Sequence, residues 1–422
     1  MKIVIRKAKV IDIQSSFHQQ TVDIVVKDGL IDQIGTDLIV SDFDKEIELE
    51  NLHLSQGWFD LRGRISEPGF EHKEDFETGL AAAVKGGFTD IALLPSTSPV
   101  IQSKSDVTFL KNKAIHSKVN VHPIGAISKN LEGKEITEMY DMHIHGAIAF
   151  ADDQKYIENP NLMKIALLYS KNFSGTLMSF PHQHTLNKGG QINEGVISTK
   201  MGLKGIPSLS EEIAIDRDLS LAAYCESPIH FSCISSAQSL TKISKAKENG
   251  LTITCSVPSQ NLYFLDKDVE SFDTNLKVLP PFRTEMDRIG LIEGIKEGHI
   301  QAIVSDHQPQ EIELKKCEFD NADFGIINYQ TSFSAAYTSL FNEIDLDRIV
   351  ELFTNGPRKI AGLPIHTIEK GALATFTLFN PEIESLFEKE QIVSKSKNSP
   401  FIGKTLKNKV YGIVNKGQYE LV

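Results

Sequence analysis

The chain opens with short segments in which apolar and polar residues alternate, as they do in half-buried β-strands. Three such segments, IVIRKAKVIDI, TVDIVV and LIDQIG, lie within residues 1–52, and the turn residues of KDGL separate the second from the third. After about residue 367 the pattern returns in ALATFTLFNP and FIGKTLKNKVYGIVNKGQYELV. We therefore predict that residues 1–52 and 368–422 pair into one small β domain.

Residues 53–367 follow another pattern, in which apolar strand-like runs alternate with helical segments. Segments such as NLMKIALLYSKNF and AQSLTKISKAKENG carry apolar residues at helical spacing. The apolar runs end near Asp60, Pro95, Ile127, Asp152, Pro181, Cys233, Val257 and Asp306. Eight alternations over roughly 250 residues are typical of a (β/α)8 TIM-type barrel. The predicted fold is therefore an α/β barrel with a small flanking β domain.

Composition narrows the class of protein. The chain has 422 residues, 41% of them hydrophobic, and no apolar run approaches the ~20 residues of a membrane span. Its start, MKIVIRKAKVIDI, lacks the apolar core and cleavage site of a secretion signal, so we expect a cytoplasmic protein. A formal charge of −12 argues against a nucleic-acid surface. The four cysteines show no CxxC spacing and are expected to be buried thiols.

Successive blocks of the barrel region carry a specific resemblance. They are SEPGFEHKEDFETGLAAAVKGGFTDIALLPSTSP, GAIAFADD, INEG, LKVLPPFRTEMDR and IVSDHQP, followed by TNGPRKIAGL and SKSKNSPFIGK. Together they resemble the dihydroorotase family of the amidohydrolase superfamily. The resemblance implies the reversible cyclisation of N-carbamoyl-aspartate to dihydroorotate, in which Zn²⁺ polarises a carbonyl and generates hydroxide while a carboxylate moves the proton.

The resemblance also implies that the first metal ligands are replaced. The family's first barrel strand supplies zinc with a His-x-His pair, and this chain has Arg62 and Arg64 at those positions. A guanidinium stays protonated and offers no lone pair to a metal. Two guanidiniums would also repel a dication.

Four further positions correspond to the family's metal site. Cys233 stands in place of a histidine, and His182 matches the fifth-strand histidine, although His184 makes that alignment ambiguous. Asp152, in the acidic pair of AFADDQ, stands where the family has a metal-binding carboxylate, and Asp306 stands at its proton-transfer aspartate. We predict no bound metal; if zinc were bound, these four residues would be its weak candidates.

Substrate-binding positions of the family are changed as well. Where the resemblance implies a carboxylate-binding arginine and two asparagines, the chain has Ser66, Ser96 and Leu279. His307, next to Asp306, completes the positions expected to face the pocket. Leucine cannot replace the lost hydrogen bonds, so we expect substrate orientation to be lost with the metal.

Each residue of the former site also has a structural interpretation. Without metal, Asp306 is expected to pair with Arg62 or Arg64, and the same is expected of Asp152. The two arginines could instead bind a small anion. His182 and Cys233 would then be core residues.

One His-x-His string lies elsewhere. His143 and His145 in MHIHG precede the strand GAIAFAD, which places them near the amino end of the fourth strand and away from the expected site. We interpret them as structural or surface residues.

Three hypotheses for function follow. The first is a catalytically inactive dihydroorotase homologue, similar to the dihydroorotase-like chains that some bacteria keep as structural partners of aspartate carbamoyltransferase in pyrimidine synthesis. The second is an active zinc-dependent cyclic amidohydrolase with a reduced metal site. The third is a small-anion binding protein that uses Arg62 and Arg64. By resemblance we also expect a homodimer.

Overall fold

The elements follow the predicted division into a barrel and a flanking sheet in a computed structural model that describes residues 1–422. The strands are β1 Lys2–Ile11, β2 Thr21–Lys27, β3 Leu30–Gly35, β4 Lys45–Glu48, β5 His53–Gln56, β6 Trp58–Gly63, β7 Phe88–Leu93, β8 Asn120–Gly125, β9 Ala149–Phe150, β10 Thr176–Ser179, β11 Ile192–Asn193, β12 Gly205–Ile206, β13 Ile229–Phe231, β14 Ile253–Pro258, β15 Ala302–Val304, β16 Phe376–Leu386, β17 Thr405–Asn415 and β18 Gln418–Leu421. The α-helices are α1 Phe76–Lys85, α2 Lys104–Lys113, α3 Met139–Ile144, α4 Pro160–Lys171, α5 Val196–Met201, α6 Leu209–Cys225, α7 Ala237–Glu248, α8 Ser259–Tyr263, α9 Glu285–Lys296, α10 Ser332–Leu340, α11 Leu346–Glu351 and α12 Asn355–Ile360. None of the helices is both long and apolar enough to cross a membrane.

Eight parallel strands form the barrel in the order β6-β7-β8-β9-β10-β13-β14-β15. Each ends within three residues of its predicted position. The last strand meets the first through Ser305, whose N–H donates to Asp60 Oδ1 at 2.7 Å, and through the Arg64 N–H, which donates to the His307 carbonyl at 2.9 Å. The predicted barrel is confirmed.

The flanking sheet joins the two ends of the chain, as predicted. Its strands run in the order β18-β17-β16-β5-β1-β2-β3, with β4 beside β1. It also takes in β5, which lies just beyond the predicted boundary at residue 52 and pairs with both β1 and β16. All four residues of β5 are buried, so the strand shows no alternation that would mark it in the sequence.

Capping residues fix where several barrel helices begin. Asp75 accepts the Thr78 N–H at the start of α1, and Ser103 with Asp106 forms a capping box at the start of α2. Such caps satisfy the free N–H groups of the first turn. The loops that precede these helices therefore end at defined residues. The site is built on these loops.

The first barrel strand, β6, contains a bulge that reorients its last residues. Asp60 lies opposite Ile91 and Gly63 opposite Leu93, so Leu61 and Arg62 share one partner position on β7. A bulge of this kind bends a strand and redirects its side chains. Asp60 consequently turns to Ser305 in the seam of the barrel, whereas Arg62 reaches across the barrel mouth.

Candidate functional site

A network of two arginines and two aspartates lies at the barrel mouth. Arg62, with 1% of its side chain exposed, donates from Nε to Asp306 Oδ1 at 2.9 Å and from Nη2 to Asp153 Oδ1 at 3.0 Å. Arg64 donates two hydrogen bonds to Asp153, from Nε to Oδ2 at 2.8 Å and from Nη2 to Oδ1 at 2.6 Å. The paired fork geometry is the one in which arginine binds a carboxylate most strongly. The predicted pairing of Asp306 with Arg62 is confirmed.

The expected pairing of Asp152 with the arginines is wrong, because its neighbour Asp153 takes that place. Asp152 turns to the loop after β8, where Oδ1 accepts the N–H groups of Ile127 at 2.8 Å and Ser128 at 2.9 Å. Since β9 ends at Phe150, the acidic pair lies in a loop, where strand alternation no longer decides which side chain points inward.

Burial and pairing act in opposite directions on the aspartates of the site. Burial raises the pKa of Asp153, but the guanidiniums of Arg64 and Arg62 outweigh burial and hold the pKa below its ordinary value. Burial dominates at Asp306 and raises its pKa despite Arg62. Burial also raises the pKa of Asp152 to about 6 against the hydrogen bonds from Ser128 and Ile127. The strongest ionic pairing in the mouth is therefore centred on Asp153.

Three residues of the former site have left-handed backbone. The φ angles are 56° at Asp153, 59° at Cys233 and 44° at Asp306. Residues other than glycine adopt this region only when surrounding structure imposes it, at a cost of order 1 to 3 kcal/mol each. The surrounding structure therefore holds three residues of the former site in a backbone conformation that they would rarely adopt by themselves.

Only two of the four expected pocket positions lie at the pocket. Ser96 Oγ donates to Asp153 Oδ2 at 2.5 Å and so joins the network. Leu279 lines a cavity that lies beside this network at the barrel mouth. Ser66 lines none of this cavity. His307 is 1% exposed and stacks on Tyr329 with 4.0 Å between ring centroids. Its Nδ1 accepts the Asn328 N–H at 2.9 Å, so its ring is part of the core and not of the pocket.

The remaining weak ligand candidates are buried and uncharged. His182 contacts Asn187 through Nε2, and burial, with His184 and Arg283 nearby, lowers its pKa to about 3. Burial, reinforced by Asp306, raises the pKa of the Cys233 thiol well above its ordinary value. A protonated thiol is not the form that binds zinc.

The His-x-His string of His143 and His145 lies outside the mouth, as predicted. His143 lies in the last turn of α3 and His145 is the residue that follows the helix, shortly before β9. His143 packs on Phe173 with 5.1 Å between ring centroids, and His145 Nδ1 lies 2.7 Å from the Asp141 carbonyl.

A zinc ion does not fit the residues of the mouth. No group of three or more histidine, cysteine, aspartate or glutamate side chains is arranged to hold a metal. The Arg62 and Arg64 guanidiniums already bind the Asp153 and Asp306 carboxylates, and Arg62 is packed over the Phe180 ring at 5.1 Å. Cations therefore occupy the place that the family's chemistry requires for its metal.

Comparison with known proteins agrees with the fold and the sequence blocks. Residues 53–239 match the family model described as dihydro-orotase-like. A protein named dihydroorotase from Caldicellulosiruptor saccharolyticus is 38% identical over 99% of this chain and 97% of its own length. Another of that name, from Acetivibrio thermocellus, is 40% identical over 92% of each chain. Among solved structures, the L-hydantoinase (dihydropyrimidinase) of Arthrobacter aurescens has a TM-score of 0.86 at 21% identity, covering 100% of this chain and 97% of its own, which supports the barrel fold. The chain belongs to the dihydroorotase family.

Proposed function

We propose that this chain is a catalytically inactive member of the dihydroorotase family that acts as a structural or regulatory partner of aspartate carbamoyltransferase. One observation carries the inactive assignment. Arg62 spans the mouth and is bonded to both Asp153 and Asp306, so the position that needs an open metal holds a buried guanidinium.

The requirements of cyclic-amide hydrolysis explain why binding of Arg62 to both carboxylates would abolish activity. Ring opening of a cyclic amide needs a Lewis acid on the carbonyl and a base that can accept a proton. Asp306 is engaged by Arg62 and is 5% exposed, so its carboxylate is not free to accept a proton from a substrate or a water molecule. An active zinc enzyme would require ligands that the mouth does not supply.

The partner assignment rests on the resemblance to inactive dihydroorotase-like chains and on the way in which the arginines that replace the metal ligands pair with the carboxylates of the mouth. Asp153 and Asp306 are paired with Arg62 and Arg64, so the barrel does not hold them as unpaired buried charges. A folded family scaffold without its chemistry is what a structural partner requires. Homodimer formation is part of this proposal.

The inactive assignment is tested by dihydroorotate turnover. The purified chain, supplied with Zn²⁺, is assayed beside its Asp306→Ala variant, which reports any contaminating host enzyme, and beside the relative from Caldicellulosiruptor saccharolyticus. We expect equal background rates for the two forms of this chain. Turnover that disappears in Asp306→Ala would overturn the assignment.

The partner assignment is tested by co-expression with the aspartate carbamoyltransferase of the same organism. We expect the two chains to elute together from a sizing column and the carbamoyltransferase to lose assembly or activity without this chain. Separate elution, with carbamoyltransferase activity unchanged, would refute the partnership and leave the inactive assignment standing.

A further inference from the structure

A cavity of about 610 Å³ lies at the barrel mouth beside the arginine network. Arg64, Ser96 and Asp153 form its floor on the network side, and Lys155 and Lys188 also line it. Its volume falls within the range of pockets that hold small metabolites. Replacement of the metal site has therefore not closed the mouth.

The charged groups of this cavity are unbalanced in favour of cations. Arg64, Lys155 and Lys188 are its basic residues, and Asp153 is the only carboxylate among the lining residues. Asp153 is already bound by Arg64 and by Arg62 beneath it. The chain as a whole carries a formal charge of −12, so a positive cavity is contrary to its overall balance. A concave site with one sign of charge concentrates ligands of the opposite sign.

Several polar groups around the cavity have no partner. Lys155 and Lys188 are exposed to solvent, and their ammonium groups make no hydrogen bond or ion pair within the chain. Arg64 uses Nε and Nη2 on Asp153, while its Nη1 is buried without an acceptor, and Gln191 Oε1 is buried without a donor. Buried polar atoms in folded proteins normally find a partner.

We propose that this cavity binds a small metabolite carrying at least two negative charges, on phosphate or carboxylate groups, between Arg64, Lys155 and Lys188. Arg62 is excluded from direct contact because it is sealed beneath Asp153 with 1% of its side chain exposed. Leu279 and Phe324 supply an apolar wall for the uncharged part of such a ligand. The inference goes beyond the proposed function, since binding requires neither turnover nor the carbamoyltransferase.

The test is titration calorimetry with pyrophosphate and with citrate, on protein first passed over a chelating resin. The Lys155→Gln/Lys188→Gln variant is compared with wild type. Both lysines are exposed to solvent, so the variant should fold normally. The Lys27→Gln/Lys370→Gln variant is the matched control, because it loses the same charge at exposed, unpaired positions of the flanking domain.

We expect at least one of the two anions to bind, with affinity reduced about tenfold or more by loss of the two cavity lysines and unchanged in the control. Preference for pyrophosphate assigns a phosphorylated ligand, and preference for citrate assigns a polycarboxylate. Absence of binding by both anions, or equal weakening in the two double variants, would overturn the proposal. Turnover measurements on the same preparations test the inactive assignment separately.

Discussion

Two buried arginine–aspartate networks lie at opposite ends of the same barrel and differ in how they share charge. At the mouth, Arg62 serves two carboxylates, Asp153 and Asp306. At the amino ends of the strands, Asp90 is the shared group: Arg358 Nη2 donates to it at 2.8 Å, and His122 Nε2 lies 2.8 Å from its other oxygen. Arg358 also donates to the Gly57 carbonyl at 2.9 Å.

The Asp90 carboxylate at the amino ends lies within a regular strand, whereas the mouth carboxylates Asp153 and Asp306 lie in loops that follow strands. Asp90 lies within β7, and its pKa is held well below the ordinary value because Arg358 and His122 outweigh the effect of burial. At the mouth, Asp153 and Asp306 have left-handed backbone. The pairing at Asp90 therefore needs no unusual backbone, whereas the pairing at the mouth holds two carboxylates in backbone conformations that cost free energy.

The largest expected effect is a gain of metal binding in an Arg62→His/Arg64→His variant. The change removes both guanidiniums, frees Asp153 and Asp306, and supplies two imidazole ligands. We expect zinc content, measured by mass spectrometry after dialysis, to rise from background to about one ion per chain.

The matched control for zinc binding is Arg62→Lys/Arg64→Lys, which keeps two cations and should stay at background. If the histidine variant folds and still binds no zinc, the mouth no longer has the geometry of a metal site.

Removal of Arg62 should produce the largest loss of stability. Asp306 has no other hydrogen-bond partner, so Arg62→Met leaves a buried carboxylate unpaired. We expect the free energy of unfolding, from urea denaturation, to fall by about 4 kcal/mol.

Addition of Asp306→Asn to Arg62→Met should recover about 1 to 2 kcal/mol, because the unpaired charge is then absent. Strictly additive losses would show that the pair is not coupled.

Removal of Arg358 should cost somewhat less, about 3 kcal/mol, since Asp90 keeps His122 and the Asn120 side chain as partners. The same urea experiment on Arg358→Met tests this difference between the two ends of the barrel. A loss larger than that of Arg62→Met would reverse the order that the partner sets predict.

The smallest effect concerns Asp60, which lies on β6 between the networks and pairs with neither. Burial raises its pKa from 3.8 to about 7, despite hydrogen bonds from Ser305. Between these two pKa values the folded state therefore holds a proton on Asp60 that the unfolded state has released. The contribution of Asp60 to stability is full at low pH and is lost as pH rises through 7.

As pH falls from 7 to 5, Asp60→Asn should accordingly lose stability relative to wild type, with a slope that approaches about 1.4 kcal/mol per pH unit well below the pKa. The measurement is urea unfolding of both proteins at pH 5, 6 and 7. A difference in stability that does not change with pH would contradict a proton held on Asp60.

Particular residues show how far sequence reasoning reaches. The strand ends and the pairing of Asp306 with an arginine were predictable, because apolar periodicity and the need to pair a buried charge are local or chemical arguments. The inward turn of Asp153 was not, since it depends on a loop conformation with φ 56°. The burial of His307 against Tyr329 depends on a contact between two loops.

The sequence by itself determined the alternation of the barrel and the flanking strands at both ends, because both follow from residue type and spacing, and its resemblance to the family indicated that Arg62 and Arg64 replace imidazole ligands. Tertiary structure decided which carboxylates those arginines meet and that a cationic cavity stays open beside them. Arg62 binds partners 91 and 244 positions away along the chain. Contacts at such separations depend on how the strands close into a barrel, and no local pattern encodes them.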